Sequence, residues 1–213
     1  MELATGFLDL ILHPDQHLQL LIQAYGAWVY GILFAIVFLE TGLVVTPFLP
    51  GDSLLFVAGT IAAAGELNVH ALVAALTAAA ILGDSVNYAI GRAIGPRVFQ
   101  FEDSRFFKRA YLERTHRYFE RHGGKTIVIA RFVPIVRTYA PFVAGIGRME
   151  YVRFLLFNVT GGALWVASLA YAGAAFGNLT FVKSNLTAII FAIIGLSLMP
   201  ALLEYWRHRR ASS

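Results

Sequence analysis

At 213 residues, 58% hydrophobic and 14% charged, with a mean hydropathy of +0.65, the chain carries more apolar surface than a soluble domain of this size can bury. Cysteine is absent, which excludes disulfides, thiolate nucleophiles and Cys-based metal sites. The formal charge of +4 sits mainly in segments flanking apolar runs, so the basic balance points to a membrane surface and not to nucleic acid.

Residues 1–25 hold two apolar clusters split by His13, Pro14, Asp15, Gln16 and His17, each too short to cross about 30 Å of hydrocarbon. They read as an interfacial segment. The first Lys or Arg is Arg92, so no positively charged leader is seen and the N-terminus is expected to remain in the mature protein. Residues 27–64 are apolar except at Glu40, Thr41 and Gly42 and again at Pro47, Pro50, Gly51 and Asp52. A straight helix cannot pass those prolines without losing backbone hydrogen bonds, which predicts a re-entrant hairpin with a protein-buried tip. A transmembrane helix is predicted over 71–95, where Gly83, Asn87, Gly91 and Gly95 form a small-residue face. Asp84, Tyr88 and Arg92 share the next face, where Tyr88 and Arg92 lie within reach of satisfying Asp84 locally, one of two readings open for that acid.

Residues 97–123 are basic, with Phe107, Tyr111 and Tyr118 on a helical period, as in a cytoplasmic amphipathic segment on anionic lipid. A second re-entrant hairpin is predicted over 124–147, carrying Arg131, Pro134, Arg137, Pro141 and Gly145, and transmembrane helices follow at 151–177 and 186–206. Arg148 and Arg153 before the first of these, and Arg207, Arg209 and Arg210 after the second, put both of those ends and the C-terminus in the cytoplasm. The two hairpins would then enter from opposite faces. Pro47–Gly51 resembles Pro141–Gly145, and each hairpin precedes a span closing on a pair of glycines, Gly91 with Gly95 and Gly173 with Gly177. The expectation is one all-α transmembrane domain over 1–213, built as an inverted repeat with about three full spans and interfacial amphipathic helices.

Ionisable groups at membrane depth are costly and mark function by default. Arg131 and Arg137 suit phosphate recognition and remain charged throughout; Glu40 and Asp52, with Asp84 as a secondary candidate, have the chemistry to take up and release a proton. Proton and phosphate would compete for the same arginines. Other motifs fail: Gly124-Lys125-Thr126 lacks the earlier glycine of a phosphate loop, and His116 and His122 form no HExxH pair, so no cofactor or metal is expected. Arg92 and the basic segments read as headgroup anchors.

Three linked motifs carry a family resemblance: Glu40-Thr41-Gly42 with Pro47-x-x-Pro50-Gly51-Asp52; Gly83-Asp84-x-x-x-Tyr88-x-x-Gly91-Arg92; and Arg131-Phe132-x-Pro134-x-x-Arg137-Thr138 with Pro141-Phe142-x-Ala144-Gly145. Over residues 17–210 the chain resembles the DedA family, related to the eukaryotic SNARE-associated or VTT domain. The resemblance implies a multi-pass protein of the bacterial inner membrane that moves lipid across the bilayer as a flippase. It implies undecaprenyl phosphate or a phospholipid such as phosphatidylethanolamine as substrate, with the proton-motive force as energy source in some members. The family's essential acids fall on Glu40 and Asp52, and its essential arginines on Arg131 and Arg137. Three function classes stay open: a carrier of an anionic lipid headgroup, a proton-coupled carrier of small ions or cationic drugs, and an integral-membrane lipid phosphatase. The last lacks a visible nucleophile and base. Membrane lipids and protons are the expected partners, no enzymatic activity is expected, and a homo-oligomer is left open.

Overall fold

The computed structural model describes residues 26–43, 51–65, 67–95 and 122–177, with isolated positions at 116, 119, 179 and 192. Among them there are helices and turns but no strand. The helices are α1 (Trp28–Gly42), α2 (Gly51–Ala63), α3 (Val69–Ile94), α4 (Thr126–Ala130), α5 (Pro134–Ile146) and α6 (Tyr151–Phe176), with a 3-10 turn at Gly123–Lys125 leading into α4. The expected interfacial segment 1–25, Pro47 and Pro50, most of 97–123 and, apart from position 192, the span 186–206 lie outside the described residues.

Two of these helices, α3 and α6, are long and apolar enough to cross a membrane. Each has 26 residues, about 39 Å at ~1.5 Å per residue. The start of α3 is fixed locally: the Asn68 side chain accepts from the backbone N–H groups of His70 at 2.9 Å and Ala71 at 3.0 Å, satisfying two donors that the first helical turn leaves open. Its end is fixed by Gly95, whose φ of +60° lies in the left-handed region. By contrast α1 and α2, with 15 and 13 residues, reach only about 22 and 20 Å.

Contacts give the helix directions. His70 meets Tyr171 and Tyr151 meets Ser85, so α3 and α6 run antiparallel. Tyr30 meets Asn68 and Gly42 meets Gly83, so α1 runs with α3; Asp52 meets Trp165 and Thr60 meets Gly173, so α2 runs with α6. The chain therefore doubles back between α1 and α2. Likewise α4 runs with α6, since Gly124 meets Phe157 and Val128 meets Gly161, while α5 runs with α3, since Thr138 meets Asn87 and Phe142 meets Gly91.

Glycine permits the closest of these crossings. A Cβ at Gly59 would strike the Ala170 carbonyl and one at Gly173 the Phe56 carbonyl; a Cβ at Gly145 would strike the Tyr88 carbonyl and one at Gly91 the Phe142 carbonyl. The α2–α6 and α5–α3 crossings are thus made by the same residues, Phe-Val-Ala-Gly, at 56–59 and 142–145. By contact, Phe142–Gly145 matches Phe56–Gly59; Pro47–Pro50 of the run expected to match it lie outside the described residues. The structure relocates a break. Pro141 and Gly145 lie within the continuous helix α5, whereas the chain turns at Arg131–Val133 and α5 begins on Pro134. Val133 is extended, as the residue before proline prefers.

Among the described residues the interior has two apolar clusters. One gathers Leu33, Val37, Leu55, Leu72, Leu76, Trp165 and Val166; the other gathers Tyr88, Ile127, Val136, Ala140 and Phe154. On α3 Asp84 falls between Ala80 of the first and Tyr88 of the second, and on α6 Asn158 falls between Phe154 and Trp165. A polar layer separates the two clusters.

Candidate functional site

That layer holds five charged side chains in two adjoining groups. In the first, Arg137 of α5 donates from Nη1 to Asp52 Oδ1 at 2.7 Å and from Nη2 to Glu40 Oε1 at 3.1 Å. Pro141 has no N–H to return to the Arg137 carbonyl, so the turn bearing this arginine lacks one helical bond. Glu40 closes α1 and Asp52 opens α2, so both acids flank the reversal between those helices. The Glu40 carboxylate lies against Gly51, where any Cβ would overlap it. Asn87 of α3 braces the group, donating from Nδ2 to the carbonyls of Thr41 at 3.2 Å and Thr138 at 3.0 Å, the residues directly after Glu40 and Arg137.

In the second group Arg131, only 2% exposed, donates from Nη2 to Asp84 Oδ2 and to Asn158 Oδ1, both at 2.5 Å. The turn after α4 aims Arg131 between α3 and α6. Gly161 and Gly162 make the slot: a Cβ would stand 3.4 Å from Arg131 Cγ at the first and 3.5 Å from Nη2 at the second. Arg131 Nε and Nη1 find no acceptor among the described residues. Buried donors are normally satisfied, so these two stand out as donors with capacity left.

Trp165 joins the two groups. Its indole N–H donates to Asp52 Oδ1 at 2.8 Å, and its ring centre is 4.9 Å from Arg137 Cζ and 5.7 Å from Arg131 Cζ, within cation–π range of both. All five charges are at least largely buried, the most open being the Asp52 side chain at 18%. Among the described residues, with every group ionised, three carboxylates face two guanidiniums, an excess of one negative charge. Burying unpaired charge is costly, so the cluster has a chemical use for one added proton or cation.

Comparison with known proteins gives this arrangement its relatives. The VTT domain family model matches residues 49–175. Protein DedA of Escherichia coli strain K12 is 54% identical over 215 residues, spanning 100% of this chain and 98% of the relative. The chain belongs to the DedA family. An uncharacterised membrane protein of Mycobacterium leprae is 45% identical over 189 residues, 89% of this chain and 85% of that one. Inner membrane protein YqjA of E. coli K12 is 34% identical over 218 residues, 98% of both chains. No solved structure matches. The chain is accordingly a membrane protein of the DedA family, helical over the described residues, with two helices among them suited to cross a bilayer.

Within that family member the structure gathers Glu40, Asp52 and Arg137 at one point and takes Arg131 to another acid. Of the two readings open for Asp84, local satisfaction by its neighbours on α3 is set aside. Tyr88 donates instead to the Met149 carbonyl and accepts from Arg92 at 3.1 Å, while Asp84 turns inward to Arg131. Sequence reasoning passed over Trp165 and Asn158 and read Asn87 only as part of a packing face. Asn158 carries a legible signal, a polar residue inside an apolar span; Trp165 carries none, since a tryptophan in such a span is ordinarily core.

Proposed function

We propose that this DedA-family protein carries an anionic lipid headgroup across the inner membrane and that a proton on the acidic cluster drives or gates the step. The observation that supports the reading is the Arg137 triad: a buried guanidinium from one chain reversal held by two carboxylates from the other. With Glu40 and Asp52 ionised, Arg137 is engaged and unavailable to a phosphate. A proton on Glu40 neutralises the surplus charge, weakens the hold on Arg137 and lets it turn to a lipid phosphate, for which Arg131 has two further donors. Trp165 keeps both guanidiniums beside one another during the exchange.

We further infer that α1–α2 and α4–α5 are re-entrant hairpins of an inverted repeat inserted from opposite faces. The short lengths of α1 and α2, the reversal of direction within each pair, the antiparallel α3 and α6, and the twice-used Phe-Val-Ala-Gly crossing all support that layout. Such an arrangement sets the substrate site at the bilayer midplane, with the C-terminus in the cytoplasm.

The test is reconstitution in proteoliposomes with labelled undecaprenyl phosphate and, separately, phosphatidylethanolamine, with and without a pH gradient. Flipping that depends on Arg137 and rises with the gradient supports the reading; flipping indifferent to Arg137→Gln sinks it. The surplus carboxylate also favours a second reading, a proton-coupled carrier of small cations or cationic drugs, which gradient-driven cation uptake without lipid movement would select. Release of inorganic phosphate from the lipid would instead promote a phosphatase.

A further inference from the structure

Away from the charged layer, an open groove of about 500 Å³ runs between the C-terminal part of α3 and the start of α6, lined by Ser85, Tyr88, Ala89, Arg92, Ala93 and Tyr151. Among the described residues its one charge is the Arg92 guanidinium, and none of the described lining residues is acidic. Tyr88 holds that guanidinium by Nη1 at 3.1 Å and is itself pinned to the Met149 carbonyl, so the cation stands at a fixed place on the wall. The α3 backbone here is also clamped by the Gly91–Phe142 and Gly145–Tyr88 crossings. A second polar pair, Tyr151 to Ser85 at 3.3 Å, closes the opposite side. Beside the groove, Leu82, Val86 and Ile90 form an exposed stripe along α3, and Val152 and Leu156 another on α6. In a membrane protein such stripes face acyl chains.

A positioned guanidinium at the end of a spanning helix, hydroxyls around it and apolar stripes leading away match an amphiphile with an anionic head and alkyl tails. We propose that the groove is a binding site for the phosphate of a bilayer lipid, with Arg92 on the phosphate and the tails along Leu82, Val86 and Ile90. Phosphate favours the guanidinium for its charge and its fork of donors; a free anion would leave the apolar stripes unused. The site is separate from the Arg131–Arg137 layer, and its occupancy is measured without transport, so either proposal can fail alone.

To test it, the full-length chain with Ala89→Trp, Trp28→Phe and Trp206→Phe is held in dodecyl maltoside micelles and titrated with phosphatidylglycerol bearing brominated chains. Diacylglycerol with the same chains is the control, and a parent retaining Ala89 corrects for Trp165. Bromine quenching at about ten-fold lower concentration for the phosphate-bearing lipid is expected, from the strength of a charge-assisted contact. Arg92→Gln should abolish that preference and Arg92→Lys should keep part of it. On the chain with Ala89 intact, a photoactivatable phosphatidylglycerol should label the segment containing Tyr88–Arg92. Equal quenching by the two lipids, or a preference untouched by Arg92→Gln, overturns the proposal. Displacement of the lipid by millimolar inorganic phosphate would overturn its assignment to lipid in favour of a free anion.

Discussion

The two buried arginines are six residues apart and live in different surroundings. Arg131 is enclosed by the long helices: its acid comes from α3, its amide from α6, and the glycine slot at 161–162 shapes its path. Arg137 is held by carboxylates on two short helices that meet where the chain reverses, and its side chain is 10% exposed against 2% for Arg131. The first pair ties the turn after α4 to the long helices, while the second joins the two chain reversals to each other. The comparison teaches that equal residue type and similar burial do not imply equal roles: on the proposed reading, what the partner is attached to decides whether a buried ion pair braces or switches.

The sharpest way to break that contrast is to remove each guanidinium in turn. Arg131→Met strands Asp84 between α3 and α6 and should lower stability by about 3–5 kcal/mol, the usual penalty for one half of a buried pair. Arg137→Met should cost less stability and more transport. Thermal unfolding in detergent, set beside flipping in proteoliposomes, reads both, and a larger stability loss for Arg137→Met would reverse the assignment. The charge-exchange partner of Glu40 is Arg137, not Arg131, so Glu40→Arg with Arg137→Glu is the informative double variant.

A smaller loss, about 1–3 kcal/mol from overpacking, is expected for Gly59→Ala and for Gly145→Ala, because each Cβ would meet a facing carbonyl. Similar losses for the two would support the equivalence of the α2–α6 and α5–α3 crossings; a loss at one alone would deny it. Glu40→Gln removes the surplus negative charge, so stability should hold or rise while the response of flipping to a pH gradient disappears. Persistence of that response would take Glu40 out of the coupling step. The least effect is expected from Trp165→Phe, which keeps a ring beside both arginines but drops the indole bond to Asp52, about 0.5–1.5 kcal/mol. A change confined to Arg137-dependent transport would place Trp165 with the switching group, and an equal effect on the Arg131 group would place it with the scaffold.

The membrane class and the two long spans were legible from hydropathy, and the cost of burying charge singled out the charged side chains. Those are local properties, fixed by what each segment can do in hydrocarbon. Three things were not. Asp84 looked satisfiable by Tyr88 and Arg92 because helical spacing sees only neighbours one and two turns away, whereas its real partner arrives from a turn 47 residues later. Pro141 looked like a break because sequence cannot tell when packing holds a helix together across a proline. Trp165 looked like core because only the arrival of α2 and α5 beside it turns an apolar ring into a cation platform and a hydrogen-bond donor. Pairing between distant segments depends on which helices run together and in what register, and that was decided here by glycine-mediated backbone contacts that become visible only once the chain is folded.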